Sequence, residues 1–175
     1  GINLGDFGAN SNETIQYNFF DLVKELDKLD LSVRFRISSI EPNLLSDEII
    51  EFISTSKKFV NHFHIPLQSG SNSVLKLMRR RYDSELYKSR IKRINRLMPD
   101  ACIGVDVIVG FPGEDDDKFL ESMSFIEDLD PTDPALEILS SLEMYRGNIV
   151  KFRVVLLTDL ESTASKISID KIQDL

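Results

Sequence analysis

The chain has 175 residues, 42% hydrophobic and 29% charged, which describes one soluble globular domain, or one with a small appendage, rather than a disordered or fibrous chain. A net charge of −8 argues against a protein coated for nucleic acid, and no apolar run reaches the roughly 18 residues of a membrane span. One cysteine, Cys102, excludes a disulfide framework and a cysteine metal site within this chain; no secretory leader is read at Gly1, so a cytoplasmic setting is expected.

The opening residues 1–8 are glycine-rich and read as the end of a strand. Residues 14–29 carry Ile15, Phe19, Leu22, Val23, Leu26 and Leu29 on one helical stripe, which predicts an amphipathic helix. Residues 32–37 predict a short strand, and Ser46 followed by Asp47 and Glu48 predicts a capped helix to about Ile53. Residues 59–65 are apolar enough for a buried strand. Ser71 or Asn72 then caps a helix with Val74, Leu75 and Leu77, and Asp83 or Ser84 caps another to about Leu97. Residues 101–109 form the strongest strand signal, and residues 115–129 return to a helical pattern. Beyond Asp130 the character changes. A helix is predicted at 134–144, a strand at 148–157, and a helix or fraying end from 162 to 175. The alternation predicts a parallel α/β layout with outer crossover helices over 1–130, followed by a helix–strand–helix extension over 131–175.

The charge is unevenly spread. Residues 76–96 carry +7, including Arg79, Arg80 and Arg81, and residues 114–130 carry −7. Each is read either as a solvated helix face or, for the basic stretch, as a surface for an anionic partner.

Ligands of parallel α/β folds collect beyond the C-terminal strand ends. Four such segments follow predicted strands: 1–8 with Asn3, 38–42 with Ser38 and Glu41, 66–71 with Gln68, Ser69, Gly70 and Ser71, and 110–114 with Gly110 and Gly113. All are rich in glycine, hydroxyl, amide or carboxyl groups, which offer hydrogen bonds and close backbone approach. The 68–71 stretch also leads into a helix start, a place for a carboxylate or phosphate. Asp106 is a carboxylate within the best strand; it reads as a partner for an arginine or as a polar group facing the barrel centre. His62 and His64 share a strand face but lack a third ligand, so no metal is expected there, and Cys102 reads as a core residue. An unrelated α/β enzyme using Asp106 or Glu114 as general base fits the composition too, without a nucleophile–base pair to support it.

The segments RISSIEPNLLSDEIIEF, HFHIPLQSGSNSVLKLMRRRY and MPDACIGVDVIVGFPGE, with the opening GINLGDFG, resemble the radical S-adenosylmethionine methylthiotransferase family, most of all its MiaB-like threonylcarbamoyladenosine tRNA methylthiotransferase subgroup. The resemblance covers residues 1–129. It implies part of a TIM-type (β/α)6 barrel, a [4Fe-4S] cluster that cleaves S-adenosylmethionine, and addition of a methylthio group to a modified adenosine beside the tRNA anticodon. It implies that Asn3, Ser38, Glu41, Gln68, Ser69, Gly70, Ser71, Asp106, Gly110 and Gly113 bind that cofactor, and that the basic segment meets tRNA. It also places the CxxxCxxC cluster motif upstream of Gly1, so the chain is expected to be an inactive core fragment. The alternative is a non-catalytic binding or scaffold module. Its open sheet edge is then covered by the strand at 148–157 or by a second copy of the chain.

Overall fold

A computed structural model describes residues 4–8, 17–129 and 150–157. The first helix, α1 (Phe19–Lys28), begins later than the apolar stripe suggested, because Asn18 and Asp21 form a capping box. The Asp21 N–H donates to Asn18 Oδ1 at 3.0 Å, and the Asn18 N–H to Asp21 Oδ2 at 3.1 Å. Helix α2 (Asp47–Thr55) starts at the expected Ser46 cap, and α4 (Ser84–Leu97) at Asp83. Between them lie β1 (His62–His64) and the short α3 (Asn72–Leu77). After α4 come β2 (Cys102–Val109), α5 (Asp116–Leu129) and β3 (Val150–Leu157). The helices expected at 134–144 and 162–175 lie outside the described residues, as does Asn3.

The predicted strand at 32–37 shrinks to one parallel bridge, Phe35 to Phe59. Strand β1 is likewise shorter than the apolar run that announced it. The segment 35–40 still runs beside β1, since the Ile40 N–H donates to the His64 carbonyl at 3.1 Å. The Leu4 N–H in turn donates to the Ser39 carbonyl at 3.0 Å.

The sheet order is β1–β2–β3. Strands β1 and β2 are parallel, as a crossover through α3 and α4 requires. Strand β3 is antiparallel to β2, with Cys102 opposite Leu157 and Val109 opposite Val150. Among the described residues the parallel part of the sheet is β1–β2, and the neighbour on the other side of β2 runs the opposite way. An edge strand accepts backbone hydrogen bonds in either direction, and β3 uses the groups that a second copy would need. A dimer through this edge has no support here.

Pairing between β1 and β2 is not uniform. His64 lies opposite Gly104, but the next bridge joins Gln68 to Val107. Three residues, Ile65, Pro66 and Leu67, thus face two, Val105 and Asp106. This is a β-bulge, which bends a strand and re-aims the residue beyond it. Gln68 completes it at φ 68°, a left-handed backbone for a residue with a side chain.

The two faces of the sheet differ. Phe63, Ile65, Ile103, Val105 and Val107 are buried against a helical layer that includes Val23, Ile49, Ile53, Tyr87, Ile91 and Ile94. Each such side chain contributes about 1.5–3 kcal/mol of burial. His62, His64 and Cys102, in alternate positions, are only partly buried.

Candidate functional site

The C-terminal ends of the 35–40 segment, of the bulged β1 strand and of β2 lie side by side. The Gln68 N–H donates to the Asp106 carbonyl at 2.8 Å, and the Ile108 N–H to the Gln68 carbonyl at 2.8 Å. Two of these hydrogen bonds pin Gln68 in a conformation that costs an ordinary residue on the order of 1 kcal/mol. Its side chain is buried, and the carboxamide oxygen Oε1 has no hydrogen-bond partner among the described residues.

The carbonyls that the bulge releases are taken up by two tyrosines. Tyr87 Oη donates to the Ile65 carbonyl at 2.8 Å, and Tyr82 Oη reaches the carbonyls of Pro66 at 3.0 Å and Leu67 at 3.1 Å. Burial pushes both phenols well above their ordinary range, so they stay protonated donors.

Ser69, Gly70 and Ser71 face helix α5. Ser69 Oγ and Ser122 Oγ are 2.8 Å apart; the N–H groups of Gly70 and Ser71 both donate to Ser122 Oγ at 3.1 Å. Ser71 Oγ donates to Glu121 Oε2 at 2.5 Å. The N–H groups of Gly70 and Ser71, just before α3, are thus taken by a side chain. Nothing in the 66–71 motif announced Ser122; the one signal is a serine in the buried stripe Phe119, Ser122, Ile126 of α5.

Ser38 is exposed at the rim. Glu41 is half-buried and pairs with Arg80 Nη1 at 3.1 Å. Gly110 and Gly113 have φ of 78° and 95°, backbone that glycine adopts without strain. The Gly110 N–H donates to Glu114 Oε2 at 2.5 Å, and burial raises the Glu114 carboxyl above its ordinary range. Glu114 therefore clamps its own loop. An open cavity of about 460 Å3 lies over this loop, lined by residues 109–116 and Phe119. Gln68 and Asp106 are not among its lining residues.

Asp106 is almost fully buried, and its Oδ1 lies 3.1 Å from His64 Nε2. The ring nitrogen is close enough for an ion pair but is not aligned for a hydrogen bond. So Asp106 meets a histidine, a partner that the sequence did not suggest. His62 stands one register step below. Burial, and secondarily the Arg36 charge, hold its imidazole below the ordinary 6.5. A base with a depressed folded value stabilises the fold above pH 6.5 and loses that contribution as pH falls through the lower value. Urea midpoints should therefore drop between pH 7.5 and 5, and His62→Gln should flatten that slope. An unchanged slope in the variant would remove His62 as the cause.

Four of the nine basic residues of the 76–96 segment are paired with acidic neighbours among the described residues. Arg90 pairs with Asp47, Arg93 with Glu51, and Lys88 with Asp128, so α4 is tied to α2 and α5. Arg80 is engaged with Glu41, whereas Lys76, Arg79 and Arg81 are exposed, with no ion pair among the described residues. Lys76 lies in the last turn of α3 and Arg79 and Arg81 follow it; Leu77 of the same helix stands 2.8 Å from where a Cβ on Gly113 would lie.

A [4Fe-4S] cluster held at an open iron needs three thiolates. The chain has only Cys102, whose thiol is pushed up by burial, and the described residues contain no group of three side chains suited to a metal. Its residues do not fit the cluster. Comparison with known proteins gives the family. The chain is 45% identical over 129 residues to the threonylcarbamoyladenosine tRNA methylthiotransferase MtaB of Bacillus subtilis (strain 168), covering 73% of this chain and 28% of that protein. It is 38% identical over 130 residues to the tRNA-2-methylthio-N(6)-dimethylallyladenosine synthases of the same strain and of Sulfurimonas denitrificans, covering 74% of this chain and 25% and 30% of those proteins. The chain thus spans less than a third of the length of these relatives. The family model of the Radical SAM superfamily matches residues 11–126. That span holds the bulged strand, β2 and their rim loops, which leaves an unrelated general-base enzyme without ground: the chain belongs to the radical SAM superfamily.

Proposed function

We propose that this chain is a core part of a tRNA methylthiotransferase, the activity named for its relatives, and that it binds S-adenosylmethionine without cleaving it alone. The observation that carries the reading is Gln68, held left-handed at the strand ends with a buried acceptor that has no partner among the described residues. A strained residue whose polar atom lacks a partner marks a place where a ligand supplies one. When bound, S-adenosylmethionine supplies the methyl and radical chemistry of the family. Gln68 would accept a hydrogen bond from it. Ser38 and Asp106 stand at the same rim, and Gly110 and Gly113 let the neighbouring loop turn closely. Ser69, Gly70, Ser71 and Glu41 act on this reading by holding backbone and partner groups, and Asn3 is assigned by resemblance alone. A cytoplasmic setting follows from the same reading.

Calorimetric titration of the full chain with S-adenosylmethionine tests it. Binding is expected, and Gln68→Ala should weaken it about tenfold, the effect of one lost hydrogen bond to a buried group. No heat at millimolar ligand would sink the reading. That result would favour the scaffold alternative, for which the specific observation is β3 sealing the edge of β2.

In the same reading Arg79 and Arg81 face the tRNA backbone while Arg80 serves the fold. Affinity for tRNA, measured against salt, should fall as salt rises. Replacing Arg79 and Arg81 by Gln should reduce the log–log slope by roughly 2, about one per phosphate contact. An unchanged slope would place the RNA contact elsewhere.

A further inference from the structure

We propose that Ser122 of α5 is the positioning residue of this site: it fixes the Ser69–Ser71 backbone so that Gln68 is the side chain of the loop left to meet a ligand. The inference rests on the S-adenosylmethionine reading and deepens it.

A serine hydroxyl donates once and accepts twice. Ser122 Oγ accepts from the N–H groups of Gly70 and Ser71, and it pairs with Ser69 Oγ, so its capacity is filled by one loop. Ser69 Oγ also accepts from the Ser71 N–H at 3.1 Å. Glu121, the preceding residue of α5, takes the remaining hydroxyl, Ser71 Oγ. All three serines are buried. Packing enforces the same contact: a Cβ on Gly70 would lie 2.7 Å from Ser122 Cα and 2.8 Å from Phe125 Cβ. The loop therefore lies flush on α5 and spends its hydroxyls and N–H groups there. Gln68, immediately before it, keeps an acceptor with no partner among the described residues. Four residues of the 66–71 motif thus divide into one reader and three anchors.

The test uses the full chain and two readouts. In the wild type, the Gly70 and Ser71 amides should exchange with deuterium more slowly than exposed loop amides such as Asp115. Ser122→Ala should speed exchange at both at least tenfold while Ile91 and Ile94 amides on α4 keep theirs. It should also weaken S-adenosylmethionine binding about as much as Gln68→Ala, and the double variant should be no weaker than either single one. Ser122→Thr, which keeps the hydroxyl, should restore amide protection. Unprotected wild-type amides, unchanged exchange in Ser122→Ala, or strictly additive losses in the double variant would each overturn the proposal. If the wild type binds no S-adenosylmethionine, the functional reading fails, and the exchange data still decide whether Ser122 positions the loop. If the Ala variant does not fold, the wild-type amides decide.

Discussion

A chain ended at Leu129 will associate, because it loses β3 and bares the edge of β2. Strand β2 pairs with β3 over its whole length, from Cys102 with Leu157 to Val109 with Val150. Without that partner, a run of backbone N–H and C=O groups in an apolar strand is presented to solvent. Such an edge pairs with whatever strand is available, most readily another copy. Light scattering at tens of micromolar should give the mass of a dimer or more for the shortened chain. Its thermal midpoint should fall by several degrees. A monomer with an unchanged midpoint would show that β3 does not protect this edge.

Tyr87→Phe should cost about 1–3 kcal/mol, the penalty for leaving a buried carbonyl unpaired. Tyr87 is fully buried, and its hydroxyl is the donor to the Ile65 carbonyl at the start of the bulge. The ring is unchanged, so the edge contact with Phe125, 6.4 Å between centroids, survives and the loss reports the hydroxyl. In a chain of this size each kcal/mol lowers the midpoint by about 2–4 °C. The pH dependence gives a second check. Burial raises the folded values of Tyr82 and Tyr87 above the ordinary 10, so their contribution is whole below pH 10. It is lost as pH climbs above 10 toward the folded values, because only the unfolded phenols ionise freely. Stability should fall steeply in alkali in the wild type and less so in the Tyr82→Phe, Tyr87→Phe pair. Equal slopes would argue that the phenols are not buried as described.

Much of the fold is legible in the residues that carry local signals. The Ser46 and Asp83 caps, the β-branched run of β2 and the strand at 150–157 were readable because each rests on neighbours in sequence. The start of α1 was not, because an apolar stripe carries no stop signal, whereas the Asn18–Asp21 box does. Nor was the direction of β3, since β-propensity is the same for either orientation. The site divides along the same line. Glycine, amide and hydroxyl residues at strand ends marked where to look. Which of them turn outward depends on a bulge and on Ser122, some fifty residues downstream in no recognisable motif. The ion pairs of the +7 stretch were not legible for a related reason: its partners Glu41, Asp47, Glu51 and Asp128 come from other elements.

The extra residue between His64 and Gln68 acts as a change of phase. Side chains of a strand alternate with period two, so one inserted residue exchanges the two sets for everything that follows. Before it, the histidines lie on the partly open face and Phe63 lies in the core. After it, the LQSG sequence is read out of step with that pattern. Deleting one residue among Ile65, Pro66 and Leu67 would leave two residues facing Val105 and Asp106, so the alternation would run unbroken to Gln68, still opposite Val107. The motif would keep every functional residue type and its register, and lose the bend that re-aims it.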